Sequence, residues 1–359
     1  MPNHVWLPYI FTTNVDAVSG GAGDDTITGL VGASGTYTVG DNINGGAGND
    51  TLNLILSSGD SAGGIVGLRS IETVNARLLG TAATAVTLNA TDWVGVTTLT
   101  NASSLADSIL QVSGLATTTK VVLNGNTDIN VGYSNTTTAS NAVSIFLNGA
   151  GDFGATGAHT LAGTGMNTAN IDLDLANAGL ISSVNVEIQG GANVARLEGG
   201  SSVTAYTLTG SGSAVLVTDD LISSFDASAM QGGVDITFEG ASTVAVKGGN
   251  GNDTINFATG AYVSTDTIVG GAGTVSVRVG AFNRTLTTSG VEKATLQYNE
   301  NGGGSVSMSG SDASTINLQP SAAGAAIHQL KIDLFSQSGC GTCKRGECQT
   351  GIVLIKQAV

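Results

Sequence analysis

Three short blocks rich in glycine and aspartate constrain the fold of this chain more than any other part of its sequence. Each block reads Gly-Gly-X-Gly-X-Asp-X followed by a large aliphatic residue, and the blocks begin at Gly20, Gly45 and Gly248. Glycine accounts for 53 of the 359 residues, yet chance rarely places the aspartate and the aliphatic residue in register three times. Glycine permits the positive φ angles of tight turns, and the aliphatic residue begins a strand that points into the core.

This pattern resembles the calcium-binding nonapeptide of RTX proteins, and more loosely the repeats of RTX-bearing bacterial surface-layer proteins. The resemblance implies a parallel β-helix with Ca²⁺ as its cofactor. Calcium is a hard cation, and its usual ligands are aspartate carboxylates and backbone carbonyl oxygens. The alternative interpretation is that the blocks are Gly-Asn-Asp turns between strands, without metal.

The spacing of the aspartates in the first cluster predicts how its turns stack. Asp16 lies nine residues before Asp25, Asp41 lies nine before Asp50, and 16 residues separate Asp25 from Asp41. The four aspartates therefore mark four successive half-turns, with a seven-residue bulge between residues 30 and 40. Since each nonapeptide of an RTX fold makes half a coil, the resemblance implies that the Asp25 turn and the Asp50 turn stack around one ion.

The second cluster keeps the turns but has fewer carboxylates. Asp253 and Asp266 are 13 residues apart, while Val275 stands where the family has aspartate and Val244 stands nine residues before Asp253. Half of the expected ligands are missing. Two interpretations therefore remain open for this cluster: a calcium site and a turn that binds no metal. The residues predicted for metal sites in the two clusters are Asp16, Gly21, Gly23, Asp25, Asp41, Gly46, Gly48, Asp50, Gly249, Gly251, Asp253 and Asp266.

The rest of the chain reads as short strands separated by turns. Alternation of apolar and polar residues is clear at 171–175 and 184–188, and turns recur roughly every ten residues. This pattern predicts an all-β protein: a parallel β-solenoid with RTX-like β-roll segments and possible β-sandwich portions. We divide it into an RTX-like segment (1–56), a region rich in Thr, Ala and Val (57–223), a second RTX-like segment (224–282) and a C-terminal β piece (283–359).

Composition excludes several classes of function. The chain has 27 acidic and 12 basic residues and a net charge of −15, which disfavours nucleic acid because phosphates require clusters of Lys and Arg. An anionic membrane surface is disfavoured for the same reason. Charged residues make up 11% and aromatic residues 4% of the chain. A weakly charged composition dominated by Thr, Ser, Asn, Gly and Ala is typical of extracellular β proteins.

We expect export without a Sec-type signal and without a membrane span. Residues 1–11 lack a basic segment and are interrupted by two prolines, and no apolar run reaches the length of about 18 residues that a spanning helix needs. RTX proteins are usually exported by a type I pathway that reads the C-terminus. The same features also fit a virion protein that leaves the cell by lysis.

All three cysteines lie in one short segment, as Cys340, Cys343 and Cys348. Three interpretations remain open: one disulfide with a free or intermolecular thiol, a metal site that would need a fourth ligand such as His328, and a thiol activated by a neighbouring cation. The apolar strand at 352–355 is predicted either to pair with a neighbouring chain or to close the fold.

No catalytic constellation is evident, so we predict a protein that is not an enzyme. The motifs of RTX metalloproteases (H-E-X-X-H) and lipases (G-X-S-X-G) are missing from the sequence. Asp172 and Asp174 share one strand face, which is typical of a solvated face more than of an active site. The favoured hypothesis is a calcium-stabilised, self-assembling extracellular protein of a surface layer, matrix or filament.

Its partners would be copies of itself or other surface proteins. The first alternative is a phage virion protein, such as a fibre, spike or capsid decoration protein. The remaining alternatives are an adhesin and a solenoid enzyme that acts on polysaccharides.

Overall fold

The computed structural model describes most of the chain as short strands linked by turns, and no helix occurs in these residues. The chain forms two compact units, residues 1–203 and 204–359. The division into four segments by composition stays a prediction. The described residues are 11–32, 35–57, 61–62, 66–79, 85–102, 104, 108–125, 127–134, 141–151, 169–173, 181–218, 220–280, 284–298, 304–320, 330–334 and 351–355.

The first unit is a stretch of parallel β-solenoid. Its strands form three sheets, in the orders β1-β3-β6-β9, β2-β4-β7-β10-β12-β14-β16 and β17-β15-β13-β11-β8-β5. The strands are β1 (Ala17–Ser19), β2 (Thr26–Val31), β3 (Asn42–Asn44), β4 (Thr51–Ser57), β5 (Ser61–Ala62), β6 (Gly67–Arg69), β7 (Thr73–Leu79), β8 (Val86–Asn89), β9 (Trp93–Val94), β10 (Thr98–Ala102), β11 (Ile109–Ala116), β12 (Lys120–Gly125), β13 (Asp128–Ser134), β14 (Asn141–Ala150), β15 (Ala169–Asp172), β16 (Ile181–Gln189) and β17 (Ala192–Glu198).

The second unit repeats the architecture with two sheets, in the orders β18-β20-β22-β24-β26-β28-β30-β31 and β29-β27-β25-β23-β21-β19. Its strands are β18 (Ala205–Gly210), β19 (Ser213–Thr218), β20 (Ser224–Met230), β21 (Val234–Phe238), β22 (Ala245–Lys247), β23 (Asp253–Phe257), β24 (Thr267–Val269), β25 (Val275–Gly280), β26 (Arg284–Ser289), β27 (Lys293–Tyr298), β28 (Gly304–Gly310), β29 (Thr315–Pro320), β30 (Leu330–Leu334) and β31 (Gly351–Ile355).

Parallel pairing confirms the predicted β-solenoid. Thr26 pairs with Thr51, and Thr51 in turn pairs with Thr73, each time in a parallel register. The one antiparallel pair among the described strands joins β30 to β31, so the predicted strand at 352–355 closes on its own chain. The predicted β-sandwich portions have no counterpart in the described residues, because the middle region continues the same parallel coils.

The core lies inside the coils, where every second strand residue points. In β4, Leu52, Leu54 and Leu56 are fully buried, while the residues between them are partly exposed. Equivalent positions of successive coils stack above each other, so like side chains meet. On the outer face, the side-chain amide of Asn75 donates to the side-chain oxygen of Asn53 at 2.9 Å.

Aromatic side chains fill part of the core of the second unit. Phe225, Phe238, Phe257 and Tyr262 form a chain of ring contacts with centroid separations of 5.5, 5.1 and 5.2 Å. The Tyr262 hydroxyl donates to the Thr285 carbonyl oxygen at 2.6 Å, which satisfies the one polar group of this cluster. Burial raises the pKa of Tyr262 to about 12, so the hydroxyl keeps its proton.

We expect Leu54→Ala to lower the free energy of unfolding by about 2 to 5 kcal/mol, because it opens a cavity in the coil interior. Leu30 is the matched control: it lies on the neighbouring strand β2 and is 45% exposed. Leu30→Ala should change stability by less than about 0.5 kcal/mol. Urea denaturation of both variants would check this, and equal losses would contradict the assignment of inner and outer faces.

Candidate calcium sites

The first two glycine-aspartate blocks form turns that stack directly on each other. The first turn joins β1 to β2 and the second joins β3 to β4. The Gly20 amide donates to the Asn44 carbonyl at 2.7 Å, and the Ala47 amide donates to the Gly21 carbonyl at 3.0 Å. The structure therefore brings the Asp25 turn and the Asp50 turn together on one edge of the coils.

The glycines are required because neighbouring turns approach too closely for a side chain. Gly46 and Gly48 have φ angles of +104° and +139°, which disfavour any residue with a Cβ. A Cβ at Gly46 would also overlap the Gly21 carbonyl oxygen, and one at Gly48 would lie 2.5 Å from the Gly23 carbonyl. The contact brings backbone carbonyl oxygens of one turn onto the next turn.

The two aspartates of this stack differ in how their carboxylates are satisfied. One oxygen of Asp25, Oδ2, accepts a hydrogen bond from the Gly21 amide at 2.7 Å. Asp50 Oδ1 accepts from the Asp25 amide at 2.7 Å, but Asp50 Oδ2 is buried and has no hydrogen-bond partner. The equivalent glycine amide, that of Gly46, donates to the Asn44 side chain at 3.2 Å instead.

Burial raises the pKa of Asp50, because the charged form loses its solvent. The hydrogen bond from the Asp25 amide lowers this pKa, whereas the negative charges of Asp25, Glu72 and Asp24 raise it further. The ionised side chain is therefore unfavourable unless a cation lies nearby.

The residues of this stack fit calcium. The carboxylates of Asp25 and Asp50 and several backbone carbonyl oxygens form a hard, anionic set of donors, and Asp50 has one buried oxygen without a hydrogen-bond partner. In the described part of the chain, no group of three or more His, Cys, Asp and Glu side chains could hold a metal. The backbone carbonyl oxygens that lie against this stack are donors that calcium uses, whereas zinc prefers Cys and His ligands. Bound calcium would supply the positive charge that offsets the burial of Asp50.

Asp16 and Asp41 lie on a different turn from Asp25 and Asp50. They precede β1 and β3, and the Asp16 amide donates to Asp41 Oδ1 at 2.8 Å. Thr38 donates its amide to Asp41 Oδ2 at 2.6 Å and its hydroxyl to Oδ1 at 3.0 Å. Asp16 is likewise engaged by the Thr12 amide at 2.7 Å. These carboxylates close turns with the chain's own donors, and their role as calcium ligands stays a prediction.

The second cluster has the same backbone but different carboxylate contacts. Asp253 is buried; its Oδ1 accepts from the Val234 amide at 2.9 Å and its Oδ2 from the Gly249 amide at 2.7 Å. Asp253 pairs in register with Val275, so the next coil offers no carboxylate. A Cβ at Gly251 would lie 2.5 Å from the backbone of the preceding coil. This turn is tightly packed and each oxygen of Asp253 accepts an amide hydrogen bond, so the role of Asp253, Gly249 and Gly251 in calcium binding stays a prediction.

Asp266 belongs to the other edge of this unit. Its Oδ1 accepts from the Val244 amide at 2.9 Å and its Oδ2 from the Val263 amide at 2.7 Å. Burial raises the pKa of both Asp253 and Asp266, and the backbone hydrogen bonds lower it in part. Asp266 therefore resembles Asp41 in its contacts and is not brought together with Asp253.

Sequence reasoning missed two glutamates that take the place of an aspartate in the next coil. Glu72 Oε2 accepts from the Asp50 amide at 2.7 Å, and Glu292 Oε2 accepts from the Val275 amide at 2.7 Å. Neither glutamate follows a glycine pair, so the repeat pattern gave no signal for them. The signal available was their position just before a strand that begins with a polar residue and continues with an apolar one.

Other predicted residues lie outside the described residues. They are Cys340, Cys343, Cys348, His328 and Asp174, so the interpretations of the cysteine segment stay predictions. Asp172 lies in β15. In the described part of the chain, no helix is sufficiently long and apolar to cross a bilayer.

Comparison with known families identifies the repeats. The RTX calcium-binding nonapeptide repeat (four copies) matches residues 12–33, 40–54 and 246–263. These ranges include every aspartate predicted for a metal site except Asp266. The chain therefore carries RTX repeats and is a calcium-binding repeat protein with Ca²⁺ as its cofactor. No curated protein and no solved structure matches the chain.

Gly46→Ala should destabilise the protein more than Gly260→Ala does. Both glycines have positive φ angles, of +104° and +86°, but a Cβ at Gly260 would meet no atom within 4 Å. Gly260→Ala should therefore show the backbone strain alone, about 1 to 2 kcal/mol. Gly46→Ala adds the overlap with the Gly21 carbonyl. Thermal melting with calcium would compare them, and equal losses would show that the turns do not pack as described.

Asp50→Asn should have opposite effects with and without calcium. In a chelator, the variant removes a buried charge with an unpaired oxygen and should gain about 1 to 3 kcal/mol. With calcium it should lose most of the metal-induced rise in melting temperature. Asp24→Asn is the control, because Asp24 is exposed and its Oδ1 accepts from the Asn49 amide at 2.8 Å. A loss of stability for Asp50→Asn in chelator would contradict this account.

The wild type and Asp50→Asn also test how the stability of the calcium-free protein depends on pH. The pKa of Asp50 is raised in the folded state, so the calcium-free fold gains stability from this group as pH falls from neutral toward that raised pKa. The gain is complete at a pH below the pKa that Asp50 has in the unfolded chain. It is lost as the pH rises through the pKa that Asp50 has in the folded protein. Melting curves in chelator should therefore show this contribution in the wild type and not in Asp50→Asn.

Proposed function

We propose that this protein is a structural, non-enzymatic component of an extracellular surface layer, matrix or filament, built by self-assembly and stabilised by calcium. The observation that carries the proposal is the place of the calcium repeats. They form the corners of the solenoid coils, so metal binding acts on the fold itself. A calcium-coupled fold suits a protein that becomes rigid after it leaves the cell.

The surface chemistry supports the same proposal. The outward positions of neighbouring strands carry rows of Thr and Asn, as in Thr26, Thr51, Thr73 and Thr98. Such rows have little charge and can pack against similar rows of another copy. The net charge of −15 opposes association, and calcium in the surroundings would screen that repulsion. Calcium would therefore favour assembly both through the fold and through the surface.

Location outside the cell is supported by the repeats. RTX repeats are typical of secreted proteins, and calcium concentrations outside cells suit sites of modest affinity. The weakly charged composition agrees with this location. Copies of the same chain are the proposed partners.

The full chain, purified in chelator, should remain monomeric and then assemble when dialysed against millimolar calcium. Light scattering after gel filtration would give the mass, and negative-stain electron microscopy would show a lattice or filament. Magnesium at the same concentration is the control, because it demands a stricter octahedral geometry than calcium does. A folded monomer at every calcium concentration would contradict self-assembly and favour a virion protein that needs another component.

A further inference from the structure

The turn that follows the second calcium block has no glycine-aspartate pattern, yet it stacks directly on it. Asn44 pairs with Arg69, and Thr51 pairs with Thr73. Residues 45–50 of one coil therefore lie against residues 70–72 of the next. The repeat match ends at residue 54, so this short third turn belongs to no assigned calcium site.

Asp50 has an oxygen available to this third turn. Its side chain is fully buried, and Oδ2 has no hydrogen-bond partner. The corresponding oxygens of Asp25 and Asp253 each accept a glycine amide at 2.7 Å. An ionised oxygen that is buried and unpaired is costly, and Asp50 is the one aspartate of the three blocks in this state.

The third turn presents its own oxygens to Asp50. A Cβ placed on Gly45 would overlap both the Ser70 carbonyl oxygen and Asp50 Oδ2, so these two oxygens converge on one point. Ser70 has a φ of 49° and is the one residue other than glycine with a positive φ among the described residues. This strained backbone accompanies the approach of its carbonyl to Asp50.

Glu72 completes the set. Its Oε2 accepts from the Asp50 amide at 2.7 Å, which holds a second carboxylate beside the Asp50 turn. Two carboxylates and a backbone carbonyl are the donor types that calcium uses. We infer that Asp50, the Ser70 carbonyl and Glu72 form a calcium site between the second and third coils, in addition to the stack of Asp25 and Asp50.

A purely structural role for Glu72 is the competing explanation, and the chain contains a matched comparison. Glu292 makes the same contact with the Val275 amide, also at 2.7 Å, but the residue it caps is valine. A glutamate can therefore close this type of turn when the residue that it caps carries no carboxylate. If Glu72 only caps the turn, its replacement and that of Glu292 should have the same consequences.

Calcium titration of the full chain separates the two roles. Glu72→Gln keeps an oxygen that can accept from the Asp50 amide but removes the charge, and Glu292→Gln makes the same change at the control position. Calorimetry and equilibrium dialysis should show that Glu72→Gln loses one ion per chain or binds it about tenfold or more weakly. Glu292→Gln should bind calcium like the wild type. Indistinguishable titrations of both variants and the wild type would overturn the inference.

A double-mutant cycle provides a second measure, with circular dichroism to verify that each variant is folded. If Asp50 and Glu72 hold the same ion, Glu72→Gln should have little further effect on calcium binding in an Asp50→Asn background. Additive losses in calcium affinity would overturn the shared site. Both measurements concern the isolated chain, so their outcome does not depend on whether the protein assembles.

Discussion

The register between successive parallel coils is the constraint on which the rest of this structure depends. At several turns, a carboxylate oxygen of one coil accepts from the backbone amide of the equivalent residue in the coil before it. Asp50 reaches the Asp25 amide in this way, and Asp253 reaches the Val234 amide. A shift by one residue would reverse the inner and outer faces of each strand and separate every such pair. Core packing, turn stacking and metal binding are therefore different results of one alignment.

The spacing of the repeats was sufficient to predict a large part of this arrangement. The interval between Asp25 and Asp50 predicted that their turns stack, and the position of Val275 predicted that Asp253 would face an apolar residue. Both follow from counting residues, because one full coil returns the chain to the same edge. The parallel solenoid could also be predicted from the resemblance, but alternation alone could not separate it from a β-sandwich, since both have a period of two.

The contacts of the individual carboxylates could not be predicted. Nine-residue spacing makes Asp41 appear equivalent to Asp50, yet Thr38 saturates Asp41 while Asp50 keeps one oxygen unpaired. The difference arises in the bulged segment before Asp41, whose path no local pattern determines. Glu72 escaped prediction for a related reason, because its turn is shorter than a repeat and the coil length changes there.

The first unit also changes its outline along the chain. Three coils contribute one strand to each of the three sheets: β3–β5, β6–β8 and β9–β11. The coils that follow contribute strands to two sheets only: β12–β13, β14–β15 and β16–β17. Parallel coils have nearly identical backbone edges, so any coil is a potential template for any other during folding. A three-stranded coil leaves one strand unpaired on a two-stranded neighbour, as β9 is at the end of its sheet, and a wrong order of coils would repeat that loss. The outline of the coil thus helps to specify the order in which the coils stack.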